Sequence, residues 1–522
     1  MLDEIIGSFL SLFSVFLKET PRVTFQERTY EAIKDTYETE ESGSDKWPSY
    51  INKEYENFSV CQEELDSLLV NGSLSGYTRP RSNSPRWRNY RESIWRSLQT
   101  TLRISFAIFP STALILAFLY FHLKTSDLCL EWQSHNNTLP RTVNRFRVIG
   151  DGIEAVINNL WFPLTIVVLF GWNEFKQKFL YTFHVGFILG EASVIYYLLL
   201  LVFGVYDTHI YYRYPLNALF FAGIICCSIV VLRSIRASDN TVSYSNAHIF
   251  FFFSTQFLIC SMISFGFRYT LVPYFNSIKK ERVKFLVAMI TPASSLIPAM
   301  FCKHLALRRS SEVVHPGRSF VLLYFIQGGP ILIYRIMQAD FQNIWLFTGL
   351  SVFTGVIKFL KRATHRIRTK WWKYIFSLFQ RTVCCQRLSE LPCNTPHIRR
   401  LKADLEIQDM IFEYTTIVLS QGYFVLYFAE SFQLSVLFFC YESLKRVAIG
   451  MGIDFFFNSL SNFVQIHYHN IPIGRFWSEY WKRHILANFI IIIVIVSYFS
   501  HVLISVFQSR GNKYTVRNCT LF

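Results

Sequence analysis

Long apolar runs recur along this chain, parted by polar stretches that carry most of its charge. The first, 104–123, reads ISFAIFPSTALILAFLYFHL and holds no charged residue. A bilayer core about 30 Å thick is crossed by about 20 apolar residues in helical rise. Hydrocarbon admits only backbone that satisfies its own hydrogen bonds, so such runs read as helices. Further runs fall at approximately 155–172, 179–205, 215–232, 248–267, 284–302, 319–337, 343–360, 414–440, 447–466 and 485–507. The pattern predicts an all-α polytopic transmembrane helix bundle of ten or eleven spans. Of these, 447–466 is the weakest, because it contains Asp454.

The polar remainder divides into recognisable pieces. Residues 1–18 begin with Asp3 and Glu4, so they lack the basic start of a signal peptide. Ile5, Ile6, Phe9, Leu10, Phe13, Phe16 and Leu17 recur at helical spacing opposite Gly7, Ser8, Ser11 and Ser14. That stretch is too short to span, and predicts an interfacial amphipathic helix. Residues 19–103 form a polar N-terminal region: 19–70 hold thirteen Asp/Glu against five Lys/Arg, and the stretch before the first span is crowded with Arg79, Arg81, Arg86, Arg88, Arg91, Arg96 and Arg103. This basic flank predicts a cytoplasmic N-terminus. Eight spans then occupy 104–360, a basic loop 361–412, further spans 413–507, and a tail 508–522. From Lys358 to Lys402 the chain carries twelve Lys/Arg and one acid, which places that stretch inside. Within it RIRTKWWKYIFSLFQ, 366–380, predicts a second interfacial helix at an anionic leaflet. The loop 124–152 falls outside and holds the sequon Asn136-Asn137-Thr138. One loop dissents: 268–284 falls outside in this scheme yet is basic, with Arg268, Lys279, Lys280, Arg282 and Lys284.

Composition agrees with a membrane protein. Hydrophobic residues make up 51% and charged residues only 17%, against about 25% charged in soluble domains. A net charge of +16 would suggest nucleic acid in a soluble chain. Here the cations flank apolar spans and no recognition module accompanies them, so nucleic acid is not an expected partner. The expected partners are membrane lipids, an anionic cytoplasmic leaflet among them, with a homo-oligomer left open. The eleven cysteines show no disulfide spacing, and Cys226, Cys227, Cys260, Cys302 and Cys440 fall in or beside spans as small apolar residues. Cys384-Cys385 after the basic aromatic segment suit palmitoylation. Cys393 and His397 match no closed zinc site, so neither metal nor other cofactor is expected.

Ionisable residues inside a span mark function or a paired structural site. Glu191 sits near the middle of 179–205, and His184, seven residues earlier, shares its helical face. Glu430 and Asp454 are the other two intramembrane acids. Two spans read as interrupted. One, MITPASSLIPAM, has Pro292 and Pro298 bracketing Ser294 and Ser295; the other, YFIQGGPILIYRIM, has Gln327, Gly328, Gly329 and Pro330 ahead of Arg335. Discontinuous helices line midplane cavities in secondary transporters, and Arg335 would there neutralise an anionic solute. Plain proline kinks in a packed bundle are the simpler reading of both.

A different chemistry enters near the C-terminus. His469-Asn470-Ile471-Pro472-Ile473-Gly474-Arg475-Phe476-Trp477 is followed, about thirty residues on, by His501 inside an apolar run. This arrangement resembles the membrane-bound O-acyltransferase family. The resemblance implies that His501 is the general base activating an acceptor hydroxyl towards an acyl-CoA thioester, with Asn470 across the same reaction chamber. The simpler alternative is a short amphipathic loop with Phe476, Trp477, Tyr480 and Trp481 as interfacial aromatic anchors. The leading expectation is a transporter or channel-like protein for a small or lipid-like solute. The alternatives are an acyltransferase-like enzyme and a receptor or structural membrane protein.

Overall fold

The computed structural model describes residues 90–125, 141–206, 210–238, 245–307, 318–364, 396–432, 436–469, 471 and 473–507, with Ile367, Trp371, Tyr374 and Arg510 as isolated positions. The interfacial helix expected over 1–18, the acidic segment, Asn136 and Asn470 lie outside the described residues.

The elements run α1 (Tyr90–Ala107), α2 (Phe109–Thr125), α3 (Arg141–Phe170), α4 (Leu180–Val202), α5 (Tyr214–Ser238), α6 (Asn246–Gly266), α7 (Val272–Ser277), α8 (Glu281–Ile290), α9 (Leu296–Leu307), α10 (Phe320–Ala339), α11 (Ile344–Ala363), α12 (Pro396–Ser431), α13 (Val436–Tyr468) and α14 (Ile473–Ser505). Among the described residues ten helices are long and apolar enough to cross a membrane, so this is a multi-pass integral membrane protein built as a helix bundle. Gly171 makes the sharp reversal after α3 at φ 84°, a left-handed backbone that favours glycine.

α10 lies at the centre: 89% of its apolar window is buried, against 22% for α4 and for α11 at the periphery. Partner pairs fix the directions. Tyr324 meets Asp409 and Tyr423 meets Ser500, so α10, α12 and α14 run parallel. Lys358 meets Glu413 and Asn458 meets Tyr414, so α11 and α13 run against them. On the other flank α4 packs on α3 through small residues. Thr182, Gly186, Gly190 and Ser193 are all buried and fall on one stripe. A Cβ on Gly186 would come within 2.8 Å of the Asn159 carbonyl oxygen and 3.0 Å of Pro163 Cγ. Backbones approach this closely in lipid when small residues face each other, because packing rather than water release drives association.

Three sequence expectations change here. The break expected at Gly328-Gly329 is absent: α10 is continuous from Phe320 to Ala339 with Pro330 inside it. A proline removes a single donor, which a surrounded membrane helix tolerates. Gly328 is used for packing instead, since a Cβ there would lie 3.1–3.3 Å from Ile495, Phe412 and Ile491. The second interruption is real, and Thr291–Ser295 form a 3-10 turn between α8 and α9. Ser294 and Ser295 spend their hydroxyls locally, donating to the carbonyls of Thr291 at 2.6 Å and Pro292 at 3.0 Å.

The expected span 414–440 is displaced. Its helix starts at Pro396, ends at Ser431, and is followed by α13 from Val436. Residues 396–412, read as loop from their charge, are therefore helical. The dissenting basic loop largely disappears. The helix continues past Gly266 through a π turn, Phe267–Leu271, into α7. Arg268 is paired with Glu154 at 3.2 Å and Lys284 with Asp340 at 2.8 Å, both inside the bundle. Of the basic aromatic segment, Ile367, Trp371 and Tyr374 are helical and exposed, one side of the helix the sequence expects there.

Candidate functional site

The helices α10 to α13 enclose a column of charge. Its upper member is Arg335 of α10, which pairs with Asp454 of α13, both essentially without exposed surface. Arg335 also donates to Gln338 Oε1 at 3.0 Å, and Gln338 in turn donates to the Phe347 carbonyl at 2.8 Å and Ser351 Oγ at 2.6 Å. Next comes Lys358 of α11, whose ammonium lies 2.5 Å from Glu413 of α12 and within electrostatic reach of Asp454 and Arg335. One turn further, Arg362 pairs with Glu406 and donates to Asp409 at 3.0 Å and to Asn458 at 2.8 Å. Tyr324 donates to the other Asp409 oxygen at 3.2 Å.

The spacing explains why one column forms. Lys358 and Arg362 are four apart on α11, while Glu406, Asp409 and Glu413 are three and four apart on α12, so each set occupies one face. The opposite face of α11 is apolar, with Val352, Phe353, Val356, Ile357 and Leu360 exposed. α11 is thus amphipathic with its polar side turned inward, as lipid requires. From the level of Ser351 to that of Arg362 the column rises about 16 Å at 1.5 Å per residue, roughly half of a 30 Å hydrocarbon core. Three cations meet four carboxylates. Taking so many ions out of water costs several kcal/mol each before pairing offsets it, so packing alone gives no reason to keep them.

A second polar cluster lies on the other side of α12. His484 of α14, fully buried, lies 3.1 Å from Asp404 and 3.4 Å from Gln408, and its ring packs at a tilt against Phe320. Gln408 reaches Asn488 at 3.4 Å, and Asn488 reaches Thr415 at 3.2 Å. α12 therefore carries polar residues on two faces, one towards α11 and one towards α14. Compared with known proteins, the chain matches no family model, no curated protein and no solved structure. The reading of this site rests on its own geometry.

Of the residues singled out from sequence, Arg335 and Asp454 are brought together and Gln327 lies half-buried on α10 without joining them. His184 and Glu191 do share a face of α4, as their spacing predicts, but it is the outward one. Both are exposed, beside Ile188 and Ile195. The stripe of small residues takes the inward side of α4, which leaves the charged side to face away from the bundle. Glu430 is half-buried in the last turn of α12, far along the helix from the column. Asn470 lies outside the described residues, and of His501 the structure describes only its helical backbone. α14 bends at Tyr480, where the backbone leaves helical geometry, and from there to His501 it rises about 32 Å at 1.5 Å per residue, so His501 stands at the far end of the bundle from Tyr480. Among the described residues no cluster of three or more His, Cys, Asp or Glu is arranged to hold a metal ion.

The sequence reading missed Lys358, Arg362, Glu406, Asp409, Glu413, Asp404 and His484. Their charge had assigned them to a loop or a span end. The signal that finds them is periodicity, since acids at 406, 409 and 413 and bases at 358 and 362 each repeat at helical spacing.

Proposed function

We propose that the protein is a transporter or channel-like protein for a small or lipid-like solute, with the charge column between α10 and α13 as its path or coupling element. The supporting observation is the column itself: Arg335, Lys358 and Arg362 facing Glu406, Asp409, Glu413 and Asp454 across four helices. Charged groups inside a membrane bundle mark solute and ion pathways. Ion pairs arranged in a ladder exchange partners at low cost, because each carboxylate left by one cation lies one turn from the next.

The peripheral position of α11 favours the same reading. It contributes two of the three cations yet is the least enclosed of the four helices. A small outward movement of this helix would open the column to lipid or solvent, whereas the central α10 could not move without dismantling the core.

The experiment is reconstitution of purified protein into vesicles, with flux measured for small ions, small uncharged solutes and a fluorescent lipid that reports transfer between leaflets. Glu413→Gln keeps shape and removes the counter-charge of Lys358. Protein-dependent flux of at least one probe, reduced tenfold or more in Glu413→Gln at equal folded protein, is the expected result. No flux of any probe, or flux indifferent to that substitution, overturns the reading.

A further inference from the structure

A separate polar cleft opens among α3, α4, α5, the π turn after α6, and α14. Its volume is about 60 Å³. It lies beside the middle of α3, the start of α5 and the later part of α14, away from the end of α14 that carries His484. Glu154 and Arg268 form its charged wall, 3.2 Å apart and about one-tenth exposed. Arg268 also donates to the Tyr498 carbonyl at 2.9 Å, and its guanidinium stands 4.9 Å from the Tyr498 ring centroid. This cation is therefore held on three sides and its charge is matched locally.

The rest of the lining is amide and aromatic. Asn159 donates its amide to the Ala155 carbonyl at 2.9 Å, which leaves its Oδ1 as a buried acceptor with no partner. Asn217 Nδ2, which lines the same cleft from α5, is a buried donor with no partner. A smaller void of about 10 Å³, which shares Asn158, Asn159 and Phe220 with the cleft, is lined by Trp161, whose Nε1 is a third such atom. Asn159 is 8% and Trp161 5% exposed. Buried polar groups left unpaired are costly, so Asn159 and Asn217 lining one cleft, with Trp161 in the void beside it, point to something that pairs them.

We propose that this cleft is a binding site for a small uncharged solute that both donates and accepts hydrogen bonds, of the class of urea, acetamide or glycerol. The size follows from the volume: one water needs about 10–15 Å³ of such space, so the cleft admits roughly four to six heavy atoms. The charge follows from the wall, where Glu154 and Arg268 already neutralise each other and leave no counter-charge for an ion. The polarity follows from the unpaired atoms, the Asn217 donor for a carbonyl or hydroxyl oxygen and the Asn159 acceptor for an N–H or O–H. As an entry site for a transported solute the cleft rests on the transport reading above; as a binding site it stands alone.

Equilibrium dialysis of radiolabelled urea, acetamide and glycerol against the full-length protein in lipid nanodiscs tests it, with glycine and acetate as charged comparisons. Saturable binding of at least one uncharged probe at one site per chain is expected, tenfold or more weaker in Asn217→Leu and Asn159→Leu and unchanged in Glu191→Gln, on the outward face of α4. Asn217 is only half-buried, so it carries the test if Asn159→Leu fails to fold. Waters alone filling the cleft would show as no saturable binding of any uncharged probe, and that overturns the proposal. Tighter binding of glycine or acetate, or binding indifferent to Asn217→Leu, overturns it equally. Binding without flux would leave this site standing and remove the transport reading, and flux without binding would do the reverse.

Discussion

The bundle holds its helices together in two contrasting ways. On the α3–α4 flank the contact is made by absence of side chain: Gly186 and Gly190 let α4 settle onto Asn159, Pro163 and Val156. Between α10 and α13 the contact is made by charge, with Arg335, Lys358 and Arg362 each closing on a carboxylate. Both solve the problem that lipid is as apolar as leucine and gives no hydrophobic drive between helices. The first solution is permanent, since dispersion contacts have one best fit. The second is exchangeable and costly in desolvation, and its presence where packing would serve is what sets this region apart.

The contrast is broken most strongly by separating one charge from its partner. Arg335→Met leaves Asp454 buried and unpaired, which costs about 3–5 kcal/mol. Loss of folded protein in detergent is the expected outcome. The double variant Arg335→Met, Asp454→Leu should recover folding, because removing a buried pair together is close to neutral, but not flux. Recovery of both would reduce that pair to glue.

The matching change on the other flank is Gly186→Leu, whose side chain enters backbone at Asn159 and the Pro163 ring. Overpacking of this kind costs about 1–3 kcal/mol. The thermal midpoint in detergent should fall, while flux per folded molecule stays at the wild-type value. A flux change beyond the loss of folded protein would show that α4 moves during the cycle.

A smaller effect belongs to the cluster behind α12. His484→Gln retains hydrogen-bonding capacity towards Asp404 and Gln408 but loses the ring that packs against Phe320. A loss of about 1 kcal/mol, the scale of one net hydrogen bond, is expected in denaturation of the purified protein. A larger loss, with altered flux, would join this cluster to the column.

How far these two regions were legible in sequence differs for a physical reason. Apolar length specifies a span directly, so the bundle and most of its helices follow from the pattern of runs. The helix breaks at Thr291–Ser295 follow too, because two prolines bracket them. The column is hidden by the same logic that reveals the spans. Charge is taken as a mark of water, so Glu406 and Asp409 read as loop and Glu413 as a span edge, although all three lie in the first half of the longest described helix. Arg268 and Lys284 misled in the same way, since their partners Glu154 and Asp340 are remote in sequence. Pairing across helices is a tertiary fact, and only helical periodicity among the charges hints at it. Gly328-Gly329 erred in the other direction: two glycines before a proline read as a break, but the space they leave is filled by neighbouring side chains.

The smallest expected effect falls on the residue that looked most functional in the sequence. Glu191 stands in the middle of an apolar run, and its spacing from His184 puts the two on one helical face. The structure turns both away from the bundle, on the face of α4 that also exposes Ile188 and Ile195. The contrast between the two regions then gives a definite outcome. If function resides in the column, Glu191→Gln replaces an outward carboxyl by an amide of the same shape and removes no contact with the charged helices. Stability should stay within about 0.5 kcal/mol, as for surface substitutions generally, and flux and its pH profile should match wild type. A change in flux would move the working path from α10–α13 to α4. Unaltered flux with a changed size in solution would mean instead that this face is covered by a second copy of the chain, where a lone carboxyl among exposed isoleucines would find its partner.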